Sequence, residues 1–151
     1  MLFHLPSERV SQQFADRLAA YISPPLILTF SGEIGMGKTT LIRALLRSLG
    51  VSSAIKSPTF SLVETYDLDI MQIHHFDLYR IHDETELDFI GFRDYFNSQA
   101  ICCIEWPERA TGAIENVDLA FTLSEKGTGR DMLVQGYTAA GNSLLSLIGT
   151  L

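Results

Sequence analysis

Between residues 32 and 40 the chain reads Gly-Glu-Ile-Gly-Met-Gly-Lys-Thr-Thr, so Gly32, Gly37, Lys38 and Thr39 occupy the fixed places of a phosphate-binding loop. Glycines at 32, 35 and 37 let the backbone curl until successive N–H groups converge on phosphate oxygens, and the helix that follows adds the positive end of its dipole. Lys38 has the reach and the charge for the β and γ phosphates, and the Thr39 hydroxyl stands where such loops hold Mg²⁺. The spacing predicts an anion cradle for a nucleoside triphosphate. Its contact run is Glu33, Gly35, Met36, Gly37, Lys38, Thr39 and Thr40.

A triphosphate site also needs acids, and two segments offer them. In His75-Phe76-Asp77-Leu78-Tyr79-Arg80, period-two alternation puts His75, Asp77 and Tyr79 on one face of a strand and His74, Phe76 and Leu78 on the other. Asp77 is then a candidate Mg²⁺ ligand or water-positioning carboxylate. A zinc site on His74, His75 and Asp77 fails on geometry, because adjacent histidines on a strand diverge. The apolar run Ala-Ile-Cys-Cys-Ile-Glu over 100–105 ends on Glu105, the pattern of a Walker B strand whose terminal acid sits near the metal. Thr59, in Ser57-Pro58-Thr59-Phe60, belongs to a loop stiffened by Pro58. It is either an ordinary Ser-Pro turn residue or a hydroxyl that helps hold Mg²⁺ or the attacking water. Ser11 and Arg130 are within reach of a nucleotide if their elements pack beside the loop; otherwise they are solvated surface residues.

The elements that must position these groups are legible as patterns. Leu26 to Phe30 is a short apolar run suited to a buried strand, and apolar residues at 41, 42, 45, 46 and 49 mark a helix after the loop, closed by Gly50. Ser7-Glu8 starts an earlier helix carried by Val10, Phe14 and Leu18 and stopped by Pro24-Pro25. Strands are predicted over 61–66 and 70–79 around a turn at 67–69, over 100–105, and over 118–123 and 132–138 around Gly127-Thr128-Gly129. Short helices are predicted over 83–90 and 142–151. Strands alternating with helices give an α/β class: a three-layer P-loop NTPase-like fold, its central, mostly parallel sheet flanked by helices and extended by antiparallel strands.

Length and charge bound the rest. The 151 residues suffice for one domain, expected to span 1–151. The formal charge of −7 argues against tight nucleic-acid binding by the chain alone, which calls for a basic face. No apolar run approaches a membrane span, and Met1 to Pro6 lacks the basic and apolar start of an export signal, so a cytoplasmic location is expected. Cys102 and Cys103 are adjacent on a strand and point to opposite faces, which suits no mutual disulfide.

Four blocks stand in one order: Gly32 to Thr40, Ser57 to Phe60, His75 to Arg80, and Ile104 to Glu108. Together they resemble the bacterial TsaE (YjeE) family, small ATPases required for making threonylcarbamoyladenosine in tRNA, and the resemblance runs from about Ser7 to Arg130. It implies ATP and Mg²⁺ as ligands and slow hydrolysis by the isolated protein. It also implies that Lys38 and Thr39 hold phosphates and metal, that Thr59 lies in a switch-like loop, and that Asp77 and Glu105 serve the metal and the water. Trp106 would sit beside the site. The implied partners are TsaD and TsaB, which carry the threonylcarbamoyl transfer. Ile34 and Met36 depart mildly from the Leu and Ala common in the family.

Two other readings compete with a partner-dependent ATPase. A small-molecule P-loop kinase would need an acceptor pocket and usually an arginine-bearing lid, and no lid insertion is evident. A GTP-dependent switch would need a base-reading Asn-Lys-x-Asp segment, and none occurs.

Overall fold

The computed structural model describes residues 1–149. Among them a seven-stranded sheet runs in the order β1-β7-β6-β2-β5-β4-β3, built from β1 (Leu2–Leu5), β2 (Leu26–Ser31), β3 (Val63–Asp67), β4 (Gln72–Asp77), β5 (Ala100–Glu105), β6 (Leu119–Lys126) and β7 (Gly129–Gly136). Parallel pairing is confined to the four central strands, where β2 lies between β5 and β6 and β5 is followed by β4. Antiparallel strands extend both edges: β3 beside β4, and β7 then β1 beside β6. The sheet is therefore mixed, with its α/β core at the centre.

Composition explains the centre. β5 reads Ala-Ile-Cys-Cys-Ile-Glu and is buried throughout, as a parallel strand covered on both faces must be. Its cysteines are free; burial pushes the Cys102 thiol up to about 12 and the Cys103 thiol higher still, so both behave as small apolar side chains.

Helices α1 (Glu8–Tyr21) and α2 (Lys38–Leu49) pack on one face of the sheet. Ser7 caps α1 in extended conformation, accepting from the Val10 N–H at 3.4 Å, and the buried stripe is Phe14, Ala15 and Leu18. Leu41, Ile42, Leu45 and Leu46 do the same for α2, which ends at Gly50 in the left-handed conformation, φ 108°. A second apolar cluster covers the other face of β4 and β5. It is built on Phe76, Leu78, Leu87, Phe92, Cys102 and Ile104.

Several boundaries differ from expectation. The helix predicted over 83–90 is one turn, α3 (Thr85–Asp88): the Glu86 carboxylate accepts from the N–H groups of His82 and Asp83 at its start, and Gly91 at φ 66° closes it. A 3₁₀ turn over Phe92–Tyr95 follows at once. Strand β3 begins two residues after Ser61 because Leu62 has φ 68° and donates its N–H to Pro58. The terminal helix α4 (Ala139–Gly149) starts before Asn142, since the Thr138 hydroxyl accepts from the Gly141 N–H. The remainder of that predicted helix, 150–151, lies outside the described residues. Strand β1 was not anticipated; four residues carry too little alternation to read, and it forms by pairing with β7. No described helix is long and apolar enough to cross a membrane.

Candidate active site at the C-terminal ends of β2, β4 and β5

The loop between β2 and α2 turns on glycines that a side chain would strain: φ is 138° at Gly32, 83° at Gly35 and 92° at Gly37. Gly32 is constrained twice, because a Cβ there would lie 2.6 Å from the Leu123 carbonyl oxygen on β6. The loop thus threads tightly over the sheet and delivers Lys38 and Thr39 to the first turn of α2, where free N–H groups and the helix dipole favour an anion.

Lys38 is buried, 5% exposed. Its ammonium donates to the carbonyl oxygen of Gly32 and, at 3.5 Å, to that of Glu33, and stands 3.8 Å from the centre of the Trp106 ring. Burial pulls its pKa down from the ordinary lysine value, while Glu105, Glu108 and Asp77 oppose the shift. The carboxylates of Glu105, Glu108 and Asp77 thus leave the surroundings of this one buried cation rich in negative charge.

The Thr39 hydroxyl donates to Glu105, with Oε1 at 2.9 Å and Oε2 at 3.0 Å. Glu105 is itself buried and its Oε2 lies 2.7 Å from His75 Nε2. Register sets this meeting, since Asp77 on β4 stands opposite Glu105 on β5 and His75 opposite Cys103, so these side chains share the face toward α2. Asp77 accepts from the Tyr79 N–H at 3.0 Å and from the Thr59 hydroxyl at 3.4 Å, and Thr59 also meets Ser57 Oγ at 2.7 Å. The loop carrying Thr59 is tied to the same strand end, because the Asp77 N–H donates to the Leu62 carbonyl at 3.0 Å.

A cavity of about 420 Å³ is lined by Gly35 to Thr40 together with Thr59, Asp77, Glu105 and Trp106. A second, of about 330 Å³, shares Gly35, Met36, Gly37 and Thr40 with it and continues along Ser7, Ser11 and Arg130. Arg130 donates to the carbonyls of Gly129 at 2.9 Å and Gly35 at 3.3 Å, so it braces the glycine loop from the β6–β7 turn. Ser11 donates to Ser7 O at 3.3 Å. Glu33 lines neither cavity and contributes its backbone carbonyl to Lys38.

Two participants escaped the residue-level reading. The bond of His75 to Glu105 is one, since that contact depends on which strands lie side by side. Tyr79 lines the first cavity, and its ring lies 4.9 Å from that of Trp106. Alternation already put Tyr79 on the Asp77 face, so the signal was present. Trp106, with φ 59°, turns the chain at the end of β5 and sets its indole against Lys38.

A family model described as "Threonylcarbamoyl adenosine biosynthesis protein TsaE" matches residues 5–132. A Haemophilus influenzae protein named tRNA threonylcarbamoyladenosine biosynthesis protein TsaE is 36% identical over 148 residues, covering 95% of this chain and 94% of that one. The Bacillus subtilis protein of the same name is 31% identical over 132 residues, 87% of this chain and 81% of the relative. In fold, the chain is similar to the crystal structure of Bacillus subtilis YdiB, with a TM-score of 0.84 over 99% of this chain and 93% of the other at 21% identity. A glycine loop feeding Lys38 and Thr39 into α2, the acids at the ends of β4 and β5, and a match that spans nearly all these elements lead to one conclusion: the chain belongs to the TsaE family of threonylcarbamoyl adenosine biosynthesis proteins.

Proposed function

We propose that this protein binds ATP with Mg²⁺ and hydrolyses it in support of tRNA N6-threonylcarbamoyladenosine synthesis, acting on the proteins TsaB and TsaD. The observation that carries the reading is the contact of Thr39 with Glu105, at 2.9 and 3.0 Å, inside a cavity walled by the glycine loop. The names of the relatives, all tied to this tRNA modification, support the pathway.

The donor set fits the cation. Thr39, Glu105 and Asp77 offer hydroxyl and carboxylate oxygens at one end of the cavity, and Mg²⁺ prefers a few such oxygens with phosphate and water completing its shell. Bound there, Mg²⁺ would offset charge on the β and γ phosphates. The chain's own residues do the rest. The N–H groups of the loop and of the first turn of α2 receive phosphate oxygens, and Lys38 exchanges the carbonyls of Gly32 and Glu33 for them. Asp77, with Thr59 beside it, is placed to orient a water. Ser11, Thr40 and Arg130 wall the adjoining cavity that would take the nucleoside.

Among the described residues, no arginine lines the first cavity. The guanidinium of Arg80 lies over the Phe60 ring at 4.3 Å, and that of Arg109 over Tyr79 at 5.7 Å. Arg130 is spent on the carbonyls of Gly129 and Gly35, so transition-state charge is under-compensated in the isolated chain, and an arginine supplied by a partner is worth roughly a thousandfold or more in rate. ATP turnover measured alone and with TsaB and TsaD tests this: strong stimulation is expected, and none would sink the partner-dependent mechanism. Phosphate transferred to an added metabolite, instead of released, would favour the kinase.

A further inference from the structure

We propose that His75 is a positioning residue for the Thr39 hydroxyl. Through a buried hydrogen bond it fixes the Glu105 carboxylate, and the carboxylate fixes which way the hydroxyl's lone pairs point. The proposal rests on the reading of this cavity as an ATP and Mg²⁺ site.

The chemistry follows from donor counting. A threonine hydroxyl has one hydrogen and two lone pairs. In this protein the hydrogen is committed to Glu105, whose two oxygens lie 2.9 and 3.0 Å from Thr39 Oγ1, so the lone pairs are left for the cavity. That orientation is useful only if the carboxylate cannot turn. An ionised carboxylate accepts and does not donate, so at 2.7 Å it is His75 Nε2 that carries the shared hydrogen. The other ring nitrogen, Nδ1, is buried and has no hydrogen-bond partner among the described residues. His75 is thus fully buried and committed to a single polar contact.

An imidazole kept at such a position costs desolvation that an apolar side chain would not, and packing alone gives no reason for it. Glu105 gives the reason. At 2% exposure its carboxylate has little access to water, and without His75 the Thr39 hydroxyl is its remaining side-chain donor among the described residues. Partners that orient metal-site ligands in this way are typically worth about ten- to a hundredfold in metal affinity.

Three variants separate positioning from packing. His75→Gln can set its amide nitrogen where Nε2 stands. His75→Asn places its amide nearer Nδ1, short of Glu105, and His75→Leu removes the donor while filling space. Thermal unfolding establishes which variants fold. Each folded variant is then titrated with Mg²⁺ in two assays, ATP turnover and binding of a fluorescent ATP analogue, the latter repeated in EDTA. We expect His75→Leu and His75→Asn to raise the half-saturating Mg²⁺ by about tenfold or more, to leave binding in EDTA unchanged, and His75→Gln to restore the wild-type requirement. If His75→Leu does not fold, the contrast between Asn and Gln carries the test. A Mg²⁺ requirement equal in all folded variants, or Gln no better than Asn, would overturn the proposal. Wild-type protein whose ATP binding ignores Mg²⁺ would remove the underlying reading, and the proposal with it.

Discussion

The two histidines that follow one another on β4 face opposite sides of the sheet, and the two sides use buried polarity differently. On the side covered by α1 and α2, His75, Glu105 and Thr39 are bonded in a chain, and Lys38 is buried beside them. On the other side His74 is held by the Thr65 hydroxyl at 2.8 Å and by the edge of the Tyr95 ring, with centroids 4.8 Å apart, at the border of an aromatic cluster. There Phe76 meets Phe92 at 5.0 Å and Tyr95 at 5.2 Å. One side concentrates charge where a helix N-terminus and strand ends converge. The other fills space so that the strand ends stay where they are. Adjacent residues on one strand can therefore serve chemistry and packing separately, because the pleat sends them to different environments.

Substitutions on the two sides should therefore fail in different ways. The largest effect is expected at Phe76, which is fully buried: Phe76→Ala should lose about 3–5 kcal/mol of stability in denaturant unfolding. Nucleotide affinity per folded molecule should change little, and a loss of affinity without loss of stability would break the division between the sides. Lys38→Ala is the converse: on the proposed function it should cut ATP turnover by about a hundredfold or more, through loss of the buried charge beside the glycine loop. Its unfolding midpoint should stay close to wild type, since a buried ammonium is expensive to keep; unchanged turnover would take the glycine loop out of the mechanism.

The smallest effect sharpens the comparison through pH. Burial lowers the His74 pKa below its ordinary 6.5, with Asp67 opposing. The unfolded chain then binds a proton that the folded chain refuses, so stability falls as pH drops below 6.5. The slope contributed is at most about 1.4 kcal/mol per pH unit. His74→Gln should flatten that acid limb in unfolding curves taken between about pH 5 and 7. An identical limb in the variant would assign it to other groups.

Local patterns carried much of this arrangement. Alternation separated His75, Asp77 and Tyr79 from His74 and Phe76, and both sets lie as that alternation requires. Helices α1 and α2 were readable because Ser7 marks the start of the first, Gly50 the stop of the second, and the apolar residues within each recur at helical spacing. The segment over 83–90 misled because its acidic residues do not form a helix face; Glu86 instead folds back on the N–H groups of His82 and Asp83. Strand β1 was invisible for another reason. A four-residue edge strand draws its definition from hydrogen bonds to β7, a partner more than a hundred residues away.

The glycine loop is legible because its pattern is written in consecutive residues: Gly32, Gly35 and Gly37 take unusual backbone angles within one short stretch, and Lys38 and Thr39 follow directly from it. Sequence by itself determined that loop, the alternating faces of β4 and the apolar character of β5. Tertiary structure decided what those faces meet. Placing β5 between β2 and β4 brings Glu105 to Thr39 and to His75, residues 66 and 30 positions away, and the β6–β7 turn brings Arg130 to Gly35. The physical reason is that backbone angles and hydrophobic period are local quantities, whereas a hydrogen bond between strands exists only once their order and register are set.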